Sequence, residues 1–109
     1  MKPHKVVFRK AAQADLRAIF SYVLGKSGSS DTALNYLRRI QRKCEEIGIA
    51  PLAHVERPDI WPGLRMAVFE RRIVILYVVE KETIRITNIL SGSRDYEALI
   101  RTTRSSLPP

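Results

Sequence analysis

A chain of 109 residues has the size of one domain, and with 45% hydrophobic residues it can bury a core without metal or disulfide staples. Against 11 Asp plus Glu stand 19 Lys plus Arg, a net charge of +8 that favours acidic partners such as nucleic acid, an acidic protein surface or the ribosome. The longest apolar run, 73–79, is too short to cross a bilayer, "MKPHKVVFRK" lacks the features of a signal peptide, and the lone Cys44 cannot form an internal disulfide, so a cytoplasmic protein without membrane contact is expected.

In chain order, "KVVFR" at 5–9 is β-branched and aromatic and predicts a first strand. From Ala11 to Leu24 the period changes. Leu16, Ile19, Phe20, Val23 and Leu24 fall at helical spacing, the stripe of a helix lying on a core, and Gly25 is read as its stop. The turn-forming "KSGSSD" follows, where Ser29, Ser30 or Asp31 can cap a second helix running to about Gly48. That helix gathers Ala33, Leu37, Ile40, Cys44 and Ile47 on one face and keeps Arg38, Arg39, Arg42 and Lys43 mainly off it. A short loop between two helices predicts an antiparallel hairpin.

Residues 50–63 contain three prolines and no period, which predicts a connecting loop anchored by Ile60 and Trp61. Three strands are expected next, at Leu64–Glu70, Ile73–Glu80 and Thr83–Leu90, joined at Arg71-Arg72 and Lys81-Glu82 without the Asn-Gly signature of a two-residue hairpin. The middle run does not alternate, so it belongs at the centre of the sheet. The last alternates through Ile84 and Ile86 and breaks at 88–90, where a bulge is expected. A short helix from about Asp95 to Thr102 and a frayed tail from about 103 complete a single domain over 1–109. The fold class is α+β, β-α-α-β-β-β with a C-terminal helix, in which the helix hairpin covers one face of a small sheet.

The stretch "NILSGSRDYEAL" (88–99) collects hydroxyls, a cation, a carboxylate and a phenol on a turn, and so invites a catalytic reading. Cleaving RNA through its own 2′-hydroxyl requires a base, an acid for the leaving oxygen, and cations around the phosphorane. Arg94 supplies charge, but no proton-transfer group is evident: His4 and His54 have no partner at meaningful spacing, and Ser91 and Ser93 have no histidine in sequence reach. Cys44, on the apolar face of the second helix, reads as a small buried hydrophobe, and Tyr77 as core. No metal cluster, phosphate loop or cofactor fingerprint is present in the sequence.

The ordered set "ADLRAIFSYV", "WPGLR", "IVILYVV" and "ITNILSGSRDY" resembles the ParE branch of the ParE/RelE toxin superfamily of type II toxin–antitoxin systems, over roughly residues 4–98. The resemblance implies a plasmid-stabilisation toxin that is neutralised by a cognate acidic antitoxin and poisons DNA gyrase; RelE-like relatives instead cleave mRNA on the ribosome. Aligned on the shared "Y-x-V" strand end, Val74 stands where RelE-like enzymes place a strand arginine, and Ala67 where they place a second basic residue. Arg65 and Arg94 remain basic, Tyr96 sits nearer to Arg94 than the RelE tyrosine does to its arginine, and Ser91 stands where ParE-like sequences often carry a histidine.

A binding toxin without catalytic residues, metal or cofactor is therefore expected, with Arg65, Arg71, Arg72, Arg94, Asp95 and Tyr96 as target-binding candidates. Leu16, Phe20, Leu37, Ile40 and Trp61 are the antitoxin-binding candidates, the antitoxin lying over the helices and pairing with a sheet edge. A RelE-like ribosome-dependent mRNA endonuclease and a basic module in direct contact with nucleic acid are the alternatives.

Overall fold

The computed structural model describes residues 2–91. Its elements are β1 (Lys5–Phe8), α1 (Lys10–Ser27), α2 (Ser30–Ile49), β2 (Val55–Glu56), β3 (Leu64–Phe69), β4 (Ile73–Glu80) and β5 (Thr83–Ser91). The strands form one sheet in the order β1-β5-β4-β3-β2, with β1 parallel to β5 and every other neighbour antiparallel. This is the α+β arrangement expected from the sequence. The helices fold back over the sheet, the chain after α2 crosses to the far edge, and the remaining strands return one by one to β1.

The unbroken apolar run of β4 follows from its central place. Ile73, Ile75 and Tyr77 point into the core beneath the helices, together with Ala12, Ile19, Ile40, Cys44 and Ile47. Val74 and Leu76, one residue out of phase, join Ile60 and Leu64 in a second cluster on the opposite face. Each such aliphatic side chain contributes about 1.5–3 kcal/mol when fully buried. Trp61 packs against this second cluster, so the proline-rich loop is anchored by Ile60 and Trp61 as the sequence suggests.

Four features differ in detail from the sequence reading. First, α1 runs through Gly25 to Ser27, and the stop is Gly28, whose φ of 67° lets its N–H reach back to the Leu24 carbonyl at 2.8 Å. Gly25 is tolerated because a helical glycine costs only about 1 kcal/mol. Second, loop 50–63 contains the two-residue β2, paired with Met66 and Arg65 of β3, which is too short to leave a periodic signal. Third, the β5 irregularity begins one residue early. Leu76 faces Asn88 while Tyr77 faces Ile86, so Thr87 is the extra residue, and its hydroxyl donates to the Leu76 carbonyl at 3.2 Å. The bulge resets the phase so that Ile84, Ile86 and Ile89 all reach the helix-side core. Fourth, β3 ends at Phe69, and Glu70 enters the turn.

The second helix is capped as expected. Ser29 Oγ accepts from the Thr32 N–H at 3.2 Å, satisfying one of the orphan donors of the first turn.

Candidate functional site

Two polar regions flank the helix-covered face of the sheet. The first is where the chain leaves α2 and crosses the sheet end. Arg65 and Tyr77 are cross-strand neighbours on β3 and β4. The Tyr77 hydroxyl donates to the Pro51 carbonyl at 2.7 Å, and Arg65 Nη1 donates to the carbonyls of His54 at 2.8 Å and Leu52 at 3.4 Å. Arg65 Nη2 also lies 3.8 Å from the Glu56 carboxylate, and its side chain is only 18% exposed. Arg65 thus fastens the crossing loop.

Burial pushes the Tyr77 hydroxyl up to about 12, with Arg65 opposing the rise, so at neutral pH it is a donor and not a base. The His54 ring meets Tyr77 edge-on at 6.3 Å. Burial, then Lys43 and Arg65, hold the imidazole below its ordinary value and keep it neutral, with Glu46 opposing. His54, which shows no partner at meaningful spacing in the sequence, is half-buried in a cationic corner. Burial and the neighbouring cations oppose protonation of this imidazole, and the guanidinium of Arg65 is already committed to loop carbonyls.

The second region joins α2 to the β3–β4 turn. Glu70 and Arg71 both adopt left-handed backbone, φ 51° and 60°, and the Arg72 N–H closes the turn on the Phe69 carbonyl at 3.1 Å. Two successive positive φ values are the mark of a type I′ turn, formed here without glycine or asparagine. Arg39 Nη2 lies 3.4 Å from Glu70 Oε1, and the same guanidinium sits 5.1 Å above the Tyr36 ring. The turn carrying Arg71 and Arg72 is therefore braced against α2. Burial, then Glu70, raise the Tyr36 hydroxyl, against the lowering effects of Arg39 and Arg72.

The other sequence candidates separate by depth. Ile40 is fully buried, so its surface is given to the core and is not open to a partner. Leu16 and Leu37 are partly buried against the same cluster, Phe20 is half-exposed on α1, and Trp61 lies on the opposite sheet face. The five antitoxin-binding candidates consequently do not share one surface. Val74 and Ala67, at the positions where RelE-like enzymes are basic, are 0% and 1% exposed, on opposite faces of the sheet. Cys44 is buried, its thiol pushed up to about 12 by desolvation and then by Glu45.

Arg94, Asp95 and Tyr96, with the expected 95–102 helix and the tail, lie outside the described residues. The strand that leads to them has an anchor that sequence reasoning missed. Asp15 of α1 accepts from the Ile89 N–H at 2.8 Å. The β1 pairing ends at Ile86, and the Asp15 carboxylate supplies the acceptor beyond it. The only signal in the sequence was an acidic residue adjoining the apolar stripe at Leu16. Among the described residues no group of three His, Cys, Asp or Glu could hold a metal ion, and no helix is long and apolar enough to cross a membrane.

Residues 6–96 match the family described as ParE toxin of type II toxin–antitoxin system, parDE. Among solved structures, the chain is similar to one from the chromosomal ParDE toxin–antitoxin system of P. aeruginosa, with 23% identity, a TM-score of 0.71, and coverage of 83% of this chain and 97% of that one. A conserved hypothetical protein from Helicobacter pylori aligns at 18% identity and a TM-score of 0.40, covering 82% of this chain and 94% of that one. No curated protein matches.

Proposed function

Since the chain belongs to the ParE toxin family of type II toxin–antitoxin systems, we propose that it arrests growth by binding a cellular target, DNA gyrase being the one the family resemblance implies. A cognate acidic antitoxin encoded beside it neutralises the toxin. The observation that carries this reading is the family match over residues 6–96, joined to a fold of one strand, a helix hairpin and four further strands in one sheet.

Binding is favoured over RNA cleavage by what occupies the RelE-like basic positions. Buried Val74 and Ala67 offer no charge to a phosphorane, and Arg65 is engaged by the crossing loop. The partner of the structurally similar P. aeruginosa protein is supplied by a ParDE system, which supports an antitoxin here too. The excess of cations on the surface would steer an acidic segment toward the toxin.

The test is inducible expression of the full chain alone and together with the adjacent small acidic protein. Growth arrest relieved by co-expression, with gyrase-dependent double-strand breaks in cells and with purified gyrase, is the expected result. Cleaved transcripts with intact DNA would replace this reading by the ribosome-dependent endonuclease.

A further inference from the structure

The flank of α2 is charged beyond what the fold requires. From Tyr36 to Arg42 the helix carries Arg38, Arg39 and Arg42, all exposed, and no carboxylate, away from the buried stripe of Ala33, Ile40, Cys44 and Ile47; Lys43 pairs with Glu46 at 3.8 Å. The β3–β4 turn brings Arg71 and Arg72 to the same side, because Glu70 pairs with Arg39 at 3.4 Å and Arg72 acts electrostatically on Tyr36. The turn holds this position although Glu70 and Arg71 both occupy left-handed backbone that glycine would adopt more easily.

Three details narrow the partner. Most of the cations are arginines, whose planar donors match phosphate oxygens in pairs. Arg38 and Arg42, one helical turn apart, are separated by about 6 Å along the axis, on the scale of neighbouring phosphates. The aromatic ring on this flank, Tyr36, is half-buried and carries Arg39 over its face, so it offers no platform for an unstacked base. The surface suits a regular duplex backbone better than a single strand.

We propose that Arg38, Arg42 and Arg72, set around the Arg39–Glu70 brace, bind the phosphate backbone of duplex DNA. This contact is independent of the identity of the target that arrests growth. It predicts binding by the isolated toxin without base specificity.

The test is fluorescence anisotropy of the full chain with a short mixed-sequence DNA duplex, the matching single strand, and the matching RNA duplex, across a salt series. The logarithm of the affinity for duplex DNA should fall linearly with the logarithm of salt concentration. The triple variant R38Q/R42Q/R72Q should lower that slope by about 2.7, since each lost phosphate contact removes about 0.9, and should bind at least about tenfold more weakly. A control triple, K5Q/K81Q/R85Q, removes the same charge from β1, the β4–β5 turn and β5 and should leave the slope unchanged. Should the first triple not fold, as judged by circular dichroism, single R42Q and R72Q variants should each lower the slope by about 0.9. An equal loss in the control triple, tighter binding to the single strand or to the RNA duplex, or no binding at low salt would overturn the proposal.

Discussion

At the scale of single residues, the crossing loop shows how a polar side chain becomes structural. Tyr77→Phe removes the donor to Pro51 and should cost about 1 kcal/mol in chemical denaturation, leaving an unpaired carbonyl beside the core. Gly48 is constrained by the close approach of β1. A Cβ there would lie 2.8 Å from the His4 backbone oxygen and 3.2 Å from Val6 Cγ2, so Gly48→Ala should cost about 1–3 kcal/mol by overpacking. His54 provides a pH test. Its folded value lies below the ordinary 6.5, so the unfolded chain binds the proton first as pH falls. Its contribution is present above pH 6.5 and is lost as pH falls from there toward the folded value. Melting curves of the wild type and His54→Gln should therefore diverge on acidification below pH 6.5, the wild type losing more. A wild type that loses no more than the variant would contradict the burial of a neutral imidazole.

At the scale of elements, two glycines three residues apart should respond with opposite sign. Gly25 lies inside α1 with nothing within 4 Å of an added Cβ, so Gly25→Ala should stabilise by about 0.5–1 kcal/mol through helix propensity. Gly28 closes the helix at φ 67°, and Gly28→Ala should destabilise by about 1–2 kcal/mol even though space is open there. Thermal melts of the two variants would show whether the helix end sits where the backbone places it. The β5 terminus rests on a second device, the Asp15 carboxylate. Asp15→Asn retains an acceptor for the Ile89 N–H and should cost less than Asp15→Ala. Burial raises the Asp15 value despite this hydrogen bond, so its contribution is fully present below 3.8 and is lost as pH rises through the folded value. Replacement by Asn should accordingly flatten that acidic limb of the stability profile.

At the scale of the whole molecule, chain order and hydrophobic pattern carried most of the architecture. The 3.6 period of α1 and α2, the non-alternating β4 and the turn chemistry at 26–31 were legible because each depends on neighbours in sequence. Gly25 misled because a glycine ends a helix only where the backbone turns left-handed, and that choice was made three residues later. The candidate sites were less legible, since the same residue type can serve a surface or a core. Ile40 and Leu37 share the periodic stripe of α2, yet one is sealed and the other only partly covered. Arg65 is a basic residue in a familiar motif, and only the fold shows its guanidinium turned onto the carbonyls of Leu52 and His54. The sequence by itself determined the family, the order of the longer elements and the surplus of positive charge, because these are properties of local pattern and composition. Tertiary structure alone decided that β1 closes against β5, that Asp15 extends that edge, and that Arg39 and Glu70 bring a helix and a turn onto one basic surface. Those outcomes depend on contacts between segments far apart in the chain, such as Lys5 with Thr83 and Asp15 with Ile89, which no local window contains.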